Sequence, residues 1–200
     1  MENAIQIPLL TLLFSAAISE NVALYYFLGI CPLISISADL KASFNMGLTV
    51  SLVMLITTAA NWAIYHLLLQ PMELEYLQLL FFVLIIAATV QLLELFLDRF
   101  FPSIYEVFGI FLPLITVNCA ILGVSMFAVL REYSLIQSLV FAAGSGMGWC
   151  LVICIIASVR RRINIDAVPV HLGKTGITML IAAVIALAFS GVSELMSGGF

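Results

Sequence analysis

Charged residues are scarce in this chain. Its 200 residues include only 7 Lys+Arg and 11 Asp+Glu, so that 9% are charged whereas 64% are apolar. A soluble domain carries about 25% charged residues and about 45–50% apolar ones, so this chain has too little polar surface to cover a globule in water. This excludes a soluble enzyme, a disordered chain and a nucleic-acid binder with a basic surface. The composition indicates an integral membrane protein.

Two further features are missing. None of the four cysteines sits in a polar, loop-rich segment, so they do not form a disulfide framework. The N-terminal segment lacks the basic start and the small-residue cleavage site of a signal peptide, and we expect it to be a membrane span. No linker is long enough to hold a water-soluble domain. We therefore expect a single membrane domain, residues 1–200.

Six segments are long and apolar enough to cross a bilayer, which predicts an all-α membrane protein with six transmembrane helices. About 20 residues that rise 1.5 Å each cover roughly 30 Å of hydrocarbon. Short breaks that carry turn or charge signals separate the segments. The predicted spans are about 5–36, 46–69, 77–97, 107–130, 135–159 and 175–195.

Basic residues are divided unequally between alternate loops. One side holds 6 of the 7 basic residues, and the other side holds only Arg131. The positive-inside rule assigns the basic side to the cytoplasm. This predicts a bacterial inner-membrane protein with both termini in the periplasm. The six residues are Lys41, Arg99, Arg160, Arg161, Arg162 and Lys174.

A weak internal repeat is visible when the chain is shifted on itself by 97 residues. It divides the chain into halves of about 1–97 and 98–200, each with three spans, so the second half inserts upside down. In such 3+3 inverted repeats the functional site lies near the midplane, where broken helices meet. The matched pairs are Phe14 with Phe111, Ser19 with Thr116, Asn21 with Asn118, Ala23 with Ala120, Phe44 with Phe141, and Gly47 with Gly144.

The first and fourth spans are irregular. The first contains Asn21 and then Gly and Pro within residues 29–32, and the fourth contains Gly and Pro within residues 109–113 and then Asn118. Proline removes a helical hydrogen bond, and in lipid the freed backbone groups need partners inside the protein. We predict that helices 1 and 4 are interrupted. The alternative is a proline kink in which Asn serves as an interhelical contact.

Cys31 and Cys119 lie in these two irregular spans, one in each half. Backbone N–H groups at interrupted helix ends stabilise a thiolate, which suits metal ligation; the alternative is a small buried apolar residue. Two thiolates cannot complete the four-thiolate shell of an iron–sulfur cluster, so another subunit would have to supply the rest. Cys150 and Cys154 share one face of an unbroken helix and are predicted to be packing residues.

Glu20 and Glu94 are the acids that lie well inside predicted spans. A carboxylate in the bilayer is costly and usually belongs to an ion path or a paired site. Glu94, near the cytoplasmic end of its span, suits the entrance of a cation pathway or else pairs with Arg99. Glu20 is deeper and could ionise next to water in the gap left by a broken helix. The small residues within 142–148 predict close helix packing rather than a phosphate-binding loop.

Four stretches carry a resemblance to a known family. They read FLGIC at 27–31, DRFFP at 98–102, GIFLPLITVNCA at 109–120 and GSGMGW at 144–149. With them, essentially the whole chain resembles the paired membrane subunits of the sodium-translocating NADH:quinone reductase and of the related Rnf electron-transfer complex. The stretches at 98–102 and 144–149 are more similar to the quinone reductase branch, whereas Cys31 followed by proline is more similar to the Rnf branch, which is the alternative.

The resemblance implies a fold, a cofactor and partners. It implies that six helices form an inverted repeat and that a homologous membrane subunit pairs with this one in the opposite orientation. One [2Fe–2S] cluster would lie at their interface, held by Cys31 and Cys119 and by two cysteines of the partner. Electrons would pass from NADH through flavin-binding subunits and this cluster to quinone while Na⁺ is expelled, and Glu94 would belong to the cytoplasmic Na⁺ entry route.

Two functions of other classes stay open on the residues alone. One is a stand-alone carrier with a solute site at the midplane between the repeats, and the other is a structural anchor without a cofactor. The breaks carry thiols rather than further solute-binding polar groups, which argues against the carrier.

Overall fold

The described part of the chain is built from helices. The structure is a computed structural model that describes residues 8–37, 39–71, 75–100, 115–116, 118–162 and 173–197. Turns of π-helix at Ser15–Ser19 and Tyr65–Leu69 extend the first and third helices, and a 3₁₀ turn, Glu75–Leu77, precedes the fourth. The helices are α1 (Leu9–Phe14), α2 (Ile30–Ile36), α3 (Leu40–Ile64), α4 (Gln78–Phe100), α5 (Cys119–Leu130), α6 (Leu135–Arg162) and α7 (Gly173–Ser197).

Three of the predicted spans are continuous helices long and apolar enough to cross a membrane: Leu40–Leu69, Gln78–Phe96 and Leu135–Arg162. Shorter apolar helices cover parts of the other three: Leu9–Ser19, Cys119–Leu130 and Thr175–Gly191. The described residues confirm the all-α prediction. The second span starts before the predicted residue 46, because the Asp39 side chain accepts a hydrogen bond from the Lys41 N–H at 3.2 Å and caps α3.

The first predicted span is interrupted. Helical structure ends at Ser19 and resumes at Ile30, so the non-helical stretch is 20–29. The break therefore lies before Pro32, which occupies the first turn of α2, where a missing N–H costs no helical hydrogen bond. In the fourth span α5 begins at Cys119, and the upstream residues 107–114 lie outside the described residues.

Asn21 and Asn118 make the same local hydrogen bonds, 97 residues apart. The Oδ1 atom of each accepts the backbone N–H two residues further on, from Ala23 and from Ala120, both at 3.0 Å. The backbone oxygen of each also accepts the N–H groups three and four residues further on. Each Asn thus starts a helical turn, which is the role Asn has at helix N-termini.

Helices α3 and α6 are antiparallel and form the centre of the bundle, with α6 also packing on α1, α5 and α7. A Cβ atom placed on Gly47 of α3 would overlap Cys150 Sγ, and one placed on Gly146 of α6 would lie 2.9 Å from Ser51. A Cβ on Gly148 would lie 2.5 Å from the Ala17 carbonyl oxygen. The close helix packing predicted for the small residues is confirmed.

The outer faces of the flanking helices are apolar. Leu84 of α4 and Leu187 of α7 are 60% and 74% exposed, whereas buried residues on α3 and α6 include Val50, Met54 and Val152. Large exposed apolar side chains on long helices are the surface that lipid or a neighbouring membrane protein covers. The described chain is a multi-pass membrane bundle.

The close approach at Gly148 predicts a pair of substitutions with opposite effects. Gly148→Ala forces a methyl group against the Ala17 backbone, which cannot rotate away, and we expect a loss of about 1–3 kcal/mol in stability. Gly191→Ala is the matched control, because nothing lies within 4 Å of a Cβ there and alanine favours the helix by up to about 1 kcal/mol. Thermal unfolding of the purified complex in detergent measures both; equal effects would contradict the packing at Gly148.

Candidate metal centre

The non-helical stretch 20–29 runs along α5 in the opposite direction. Its first residue meets the C-terminal end of α5, and its last residue meets the N-terminal end. The contacts in order are Glu20 with Arg131, Tyr26 with Phe127, Leu28 with Gly123, and Gly29 with Cys119. The two irregular spans are therefore packed against each other over the length of α5.

Cys119 is the first residue of α5 and is half-buried. Its Sγ accepts a hydrogen bond from the Gly29 N–H at 2.9 Å. Two residues with left-handed backbone aim this N–H, since φ is +54° at Phe27 and +79° at Gly29. The N-terminal end of a helix and a backbone N–H both favour negative charge on sulfur. The environment of Cys119 suits a thiolate ligand.

Cys31 lies two residues after Gly29, in the first turn of α2, and its side chain is exposed. The bond between Gly29 and Cys119 therefore brings the chain segment of one candidate ligand to the sulfur of the other. The exposed Cys31 side chain is open to a neighbouring chain. The interrupted first span and the N-terminal end of α5 each contribute one thiol to this junction.

The junction offers two of the four thiol ligands that an iron–sulfur cluster needs. Within the described residues, no three His, Cys, Asp or Glu side chains come together in a metal-binding arrangement. Two thiols are available as metal ligands, and a backbone N–H donates a hydrogen bond to one of the sulfur atoms. Thiolate ligands and hydrogen bonds to sulfur are the features by which proteins hold iron–sulfur clusters and set their potentials. Cys150 and Cys154 lie elsewhere on α6, where Cys150 Sγ packs against Gly47.

Comparisons with known proteins agree on one family. The sequence model of the family described as "Rnf-Nqr subunit, membrane protein" matches residues 9–196. The chain belongs to this family. It is 41% identical over 197 residues to the E subunit of the Na(+)-translocating NADH-quinone reductase from Hahella chejuensis, covering 92% of this chain and 97% of that one.

Other relatives carry names from both branches of the family. The E subunit of the same kind of reductase from Psychromonas ingrahamii is 43% identical over 184 residues, covering 87% of this chain and 91% of that one. The A subunit of the ion-translocating oxidoreductase complex from Syntrophotalea carbinolica is 38% identical over 190 residues, covering 95% and 98%. This Rnf-Nqr protein is thus similar over nearly its whole length to subunits of oxidoreductase complexes, which confirms the family that the sequence motifs indicated.

Glu94 of this Rnf-Nqr protein lies on α4, near the C-terminal end of that helix. It is half-buried, and its Oε2 accepts a hydrogen bond from the Gln91 side chain at 3.0 Å. Helix α4 packs on α3 and α5, so Glu94 sits on a helix next to the one that carries Cys119. The structure leaves its role in a cation path as a prediction.

Glu20 forms an ion pair that the sequence analysis missed. Its carboxylate accepts a hydrogen bond from Arg131 at 2.5 Å, and the Tyr133 hydroxyl lies 3.3 Å from the same guanidinium nitrogen. The rings of Phe127 and Phe141 flank the guanidinium at 6.0 and 5.6 Å. Although burial alone would lower the pKa of Arg131, its hydrogen bonds to Glu20 and Tyr133 and the charge of Glu20 raise it. The pair fastens the start of the break to the end of α5.

This ion pair predicts a strong coupling between two distant positions. Glu20→Gln leaves the Arg131 cation partly buried without its counter-ion, and we expect a loss of about 1–3 kcal/mol in the stability of this Rnf-Nqr protein. Arg131→Gln has a similar cost, whereas the double variant costs clearly less than the two single losses together. A double-mutant cycle on thermal unfolding of the complex measures the coupling. If the stability losses of the two single variants simply add up in the double variant, the ion pair contributes nothing to the stability of the protein.

Proposed function

We propose that this chain is an electron-carrying membrane component of a redox-driven sodium pump. In this proposal Cys31 and Cys119 supply half of the ligands of a [2Fe–2S] cluster, and a homologous membrane protein of opposite orientation supplies the other half. The relatives' names support the setting, because they denote an NADH–quinone reductase that translocates Na⁺ and an ion-translocating oxidoreductase. The observation that carries the proposal is the Gly29 N–H to Cys119 Sγ bond.

The protein groups at the junction counteract the charge of such a centre. When bound, a [2Fe–2S] cluster takes up and releases one electron at a time, and with four thiolates it carries a charge of about −2 or −3. Burying that charge is costly without oriented dipoles. The N-terminal end of α5 points its dipole toward Cys119, and Gly29 adds a direct N–H donor. The exposed Cys31 side chain suits ligation at an interface between two chains.

The proposal includes the arrangement of the chain in the membrane. Six spans form two inverted halves, with both termini on the periplasmic side of a bacterial inner membrane. The matching hydrogen bonds of Asn21 and Asn118 support a repeat of 97 residues, and the uneven division of basic residues supports the orientation. An odd number of spans in each half is what inverts the second half.

The proposal also includes coupling to Na⁺ through Glu94. Adding an electron at the junction makes it more negative, and a cation moving toward it from the cytoplasm would balance that charge. Glu94 is half-buried on a helix that packs against α5, so it is suited to the first part of such a route. Subunits that bind flavin and NADH, and a quinone acceptor, complete the proposed electron path.

Replacing each of the four cysteines by serine in the intact complex tests the ligand assignment. We expect Cys31→Ser and Cys119→Ser each to remove the two iron atoms of one cluster and its electron paramagnetic resonance signal. Serine at position 119 still offers an oxygen to the Gly29 N–H, so the loss reports on metal ligation rather than on an unpaired backbone donor. Iron analysis and spectroscopy of the dithionite-reduced complex measure the result.

Cys150→Ser and Cys154→Ser are the matched controls, since both thiols lie on the unbroken α6. Both variants should keep full iron content. If Cys31→Ser and Cys119→Ser also keep it, the cluster assignment is wrong, and a carrier or an anchor without a cofactor becomes the better account.

Glu94→Gln tests the sodium part separately. We expect the midpoint potential of the cluster in the unaltered complex to rise with Na⁺ concentration, because a bound cation stabilises the more negative reduced form. Glu94→Gln should require several-fold more Na⁺ for the same rise. Glu132→Gln, which makes the same charge change beyond the C-terminal end of α5, is the control. A midpoint potential that does not change with Na⁺ concentration would contradict the coupling between Na⁺ and cluster reduction, and it would not affect the ligand assignment.

A further inference from the structure

Trp149 of α6 has a buried indole N–H without an acceptor in the described part of the chain. Its side chain is 0% exposed, and Nε1 finds no hydrogen-bond partner among the described residues. An indole nitrogen only donates, and a buried one almost always has an acceptor. A donor left unpaired in the interior is therefore a sign of a missing acceptor.

This N–H lies where the break in the first span meets the N-terminal end of α5. A Cβ atom placed on Gly29 would be 2.5 Å from Trp149 Nε1, and the Gly29 N–H bonds Cys119 Sγ at 2.9 Å. Because backbone geometry fixes the separation between the N and Cβ positions of one residue at about 2.5 Å, Trp149 Nε1 lies within about 8 Å of the Cys119 sulfur. Glycine at position 29 is what allows the indole to come so close.

The indole N–H of the second tryptophan, Trp62, has a hydrogen-bond acceptor within the chain. Trp62 Nε1 donates to the Tyr133 carbonyl oxygen at 2.9 Å. Trp149 has no such partner in the described chain, and lipid tails offer no acceptor. At the repeat offset of 97 residues, Leu52 stands in the place of Trp149, so the fold of a half does not require an indole there.

We propose that the Trp149 indole N–H is a hydrogen-bond donor to the thiolate-ligated group held by Cys31 and Cys119, and that it stabilises the reduced form of that group. This rests on the function proposed above. The reduced form carries one more negative charge, so a donor to its sulfur atoms favours reduction and raises the midpoint potential. The Trp149 N–H would be a second donor at this site, in addition to the Gly29 N–H, which donates a hydrogen bond to Cys119 Sγ.

Trp149→Phe in the intact complex tests the inference, because it keeps a large apolar ring and removes the N–H. We expect the iron content to be retained and the midpoint potential to fall. A hydrogen bond to a charged group is worth roughly a tenfold change in the ratio of reduced to oxidised cluster, which corresponds to a shift of about 59 mV for one electron. Redox titration followed by electron paramagnetic resonance measures the shift.

Trp62→Phe is the matched control, since its N–H already has an acceptor, and its potential should not change. A Trp149→Phe complex that keeps both its iron and its original potential overturns the inference, while the ligand assignment of Cys31 and Cys119 stands. Loss of iron in the two Cys→Ser variants tests that assignment independently.

A second measurement needs no substitution. In the unaltered complex labelled with ¹⁵N-indole tryptophan, we expect pulsed electron–nuclear spectra of the reduced cluster to show a coupling to an indole nitrogen. That coupling should persist in Trp62→Phe. Its absence from the labelled, fully reduced complex would overturn the inference even if Trp149→Phe fails to assemble.

Discussion

Backbone N–H groups that leave a helix inside an apolar bundle must find acceptors within the protein, and the stretch 20–29 is organised by this requirement. Asn21 alone accepts three of these N–H groups, one with its side-chain oxygen and two with its backbone oxygen. The Leu28 N–H returns to the Val22 carbonyl oxygen at 3.1 Å, and the Gly29 N–H is accepted by Cys119 Sγ at 2.9 Å. Each unpaired group in lipid would cost several kcal/mol, so these bonds fix the path of the break.

The hydrogen bond from the Gly29 N–H to Cys119 Sγ both pairs a backbone group of the break and bears on the proposed metal ligation by that sulfur. The Cys119 sulfur pairs one backbone N–H of the break, and the same bond stabilises negative charge on that sulfur. The ion pair between Glu20 and Arg131 holds the other end of the stretch against α5. The break is thus fixed at both ends, so Gly29 and Cys31 are presented to the N-terminal end of α5 by a defined segment rather than by a loose loop.

The sequence alone predicts much of this architecture, and its errors have physical causes. Hydropathy locates the long helices, but it misses the start of α3, because Lys41 and Asn45 lower the average where Asp39 caps the helix. Glycine and proline correctly indicate that the first span is interrupted. The proline, however, lies in the first turn of α2 rather than in the break, because the first turn of a helix tolerates proline. The Glu20–Arg131 pair joins positions 111 residues apart, and the position of Trp149 depends on tertiary packing. Neither leaves a local signal in the sequence.

The stretches that follow Asn21 and Asn118 begin alike and then differ, and this difference makes the junction possible. Asn21 and Asn118 begin the same helical turn, but after Asn118 the helix runs on to Leu130, whereas after Asn21 it ends within one turn. At an offset of 97 residues Cys119 stands opposite Val22 and Cys31 opposite Ala128, so the two thiols do not match each other at this offset. A strictly symmetric chain would continue as helix from Asn21 and carry the glycine away from α5. Because the chain unwinds after Asn21 but continues as helix after Asn118, the stretch 20–29 runs back along α5, delivers the Gly29 N–H to Cys119, and starts α2 with Cys31 in its first turn.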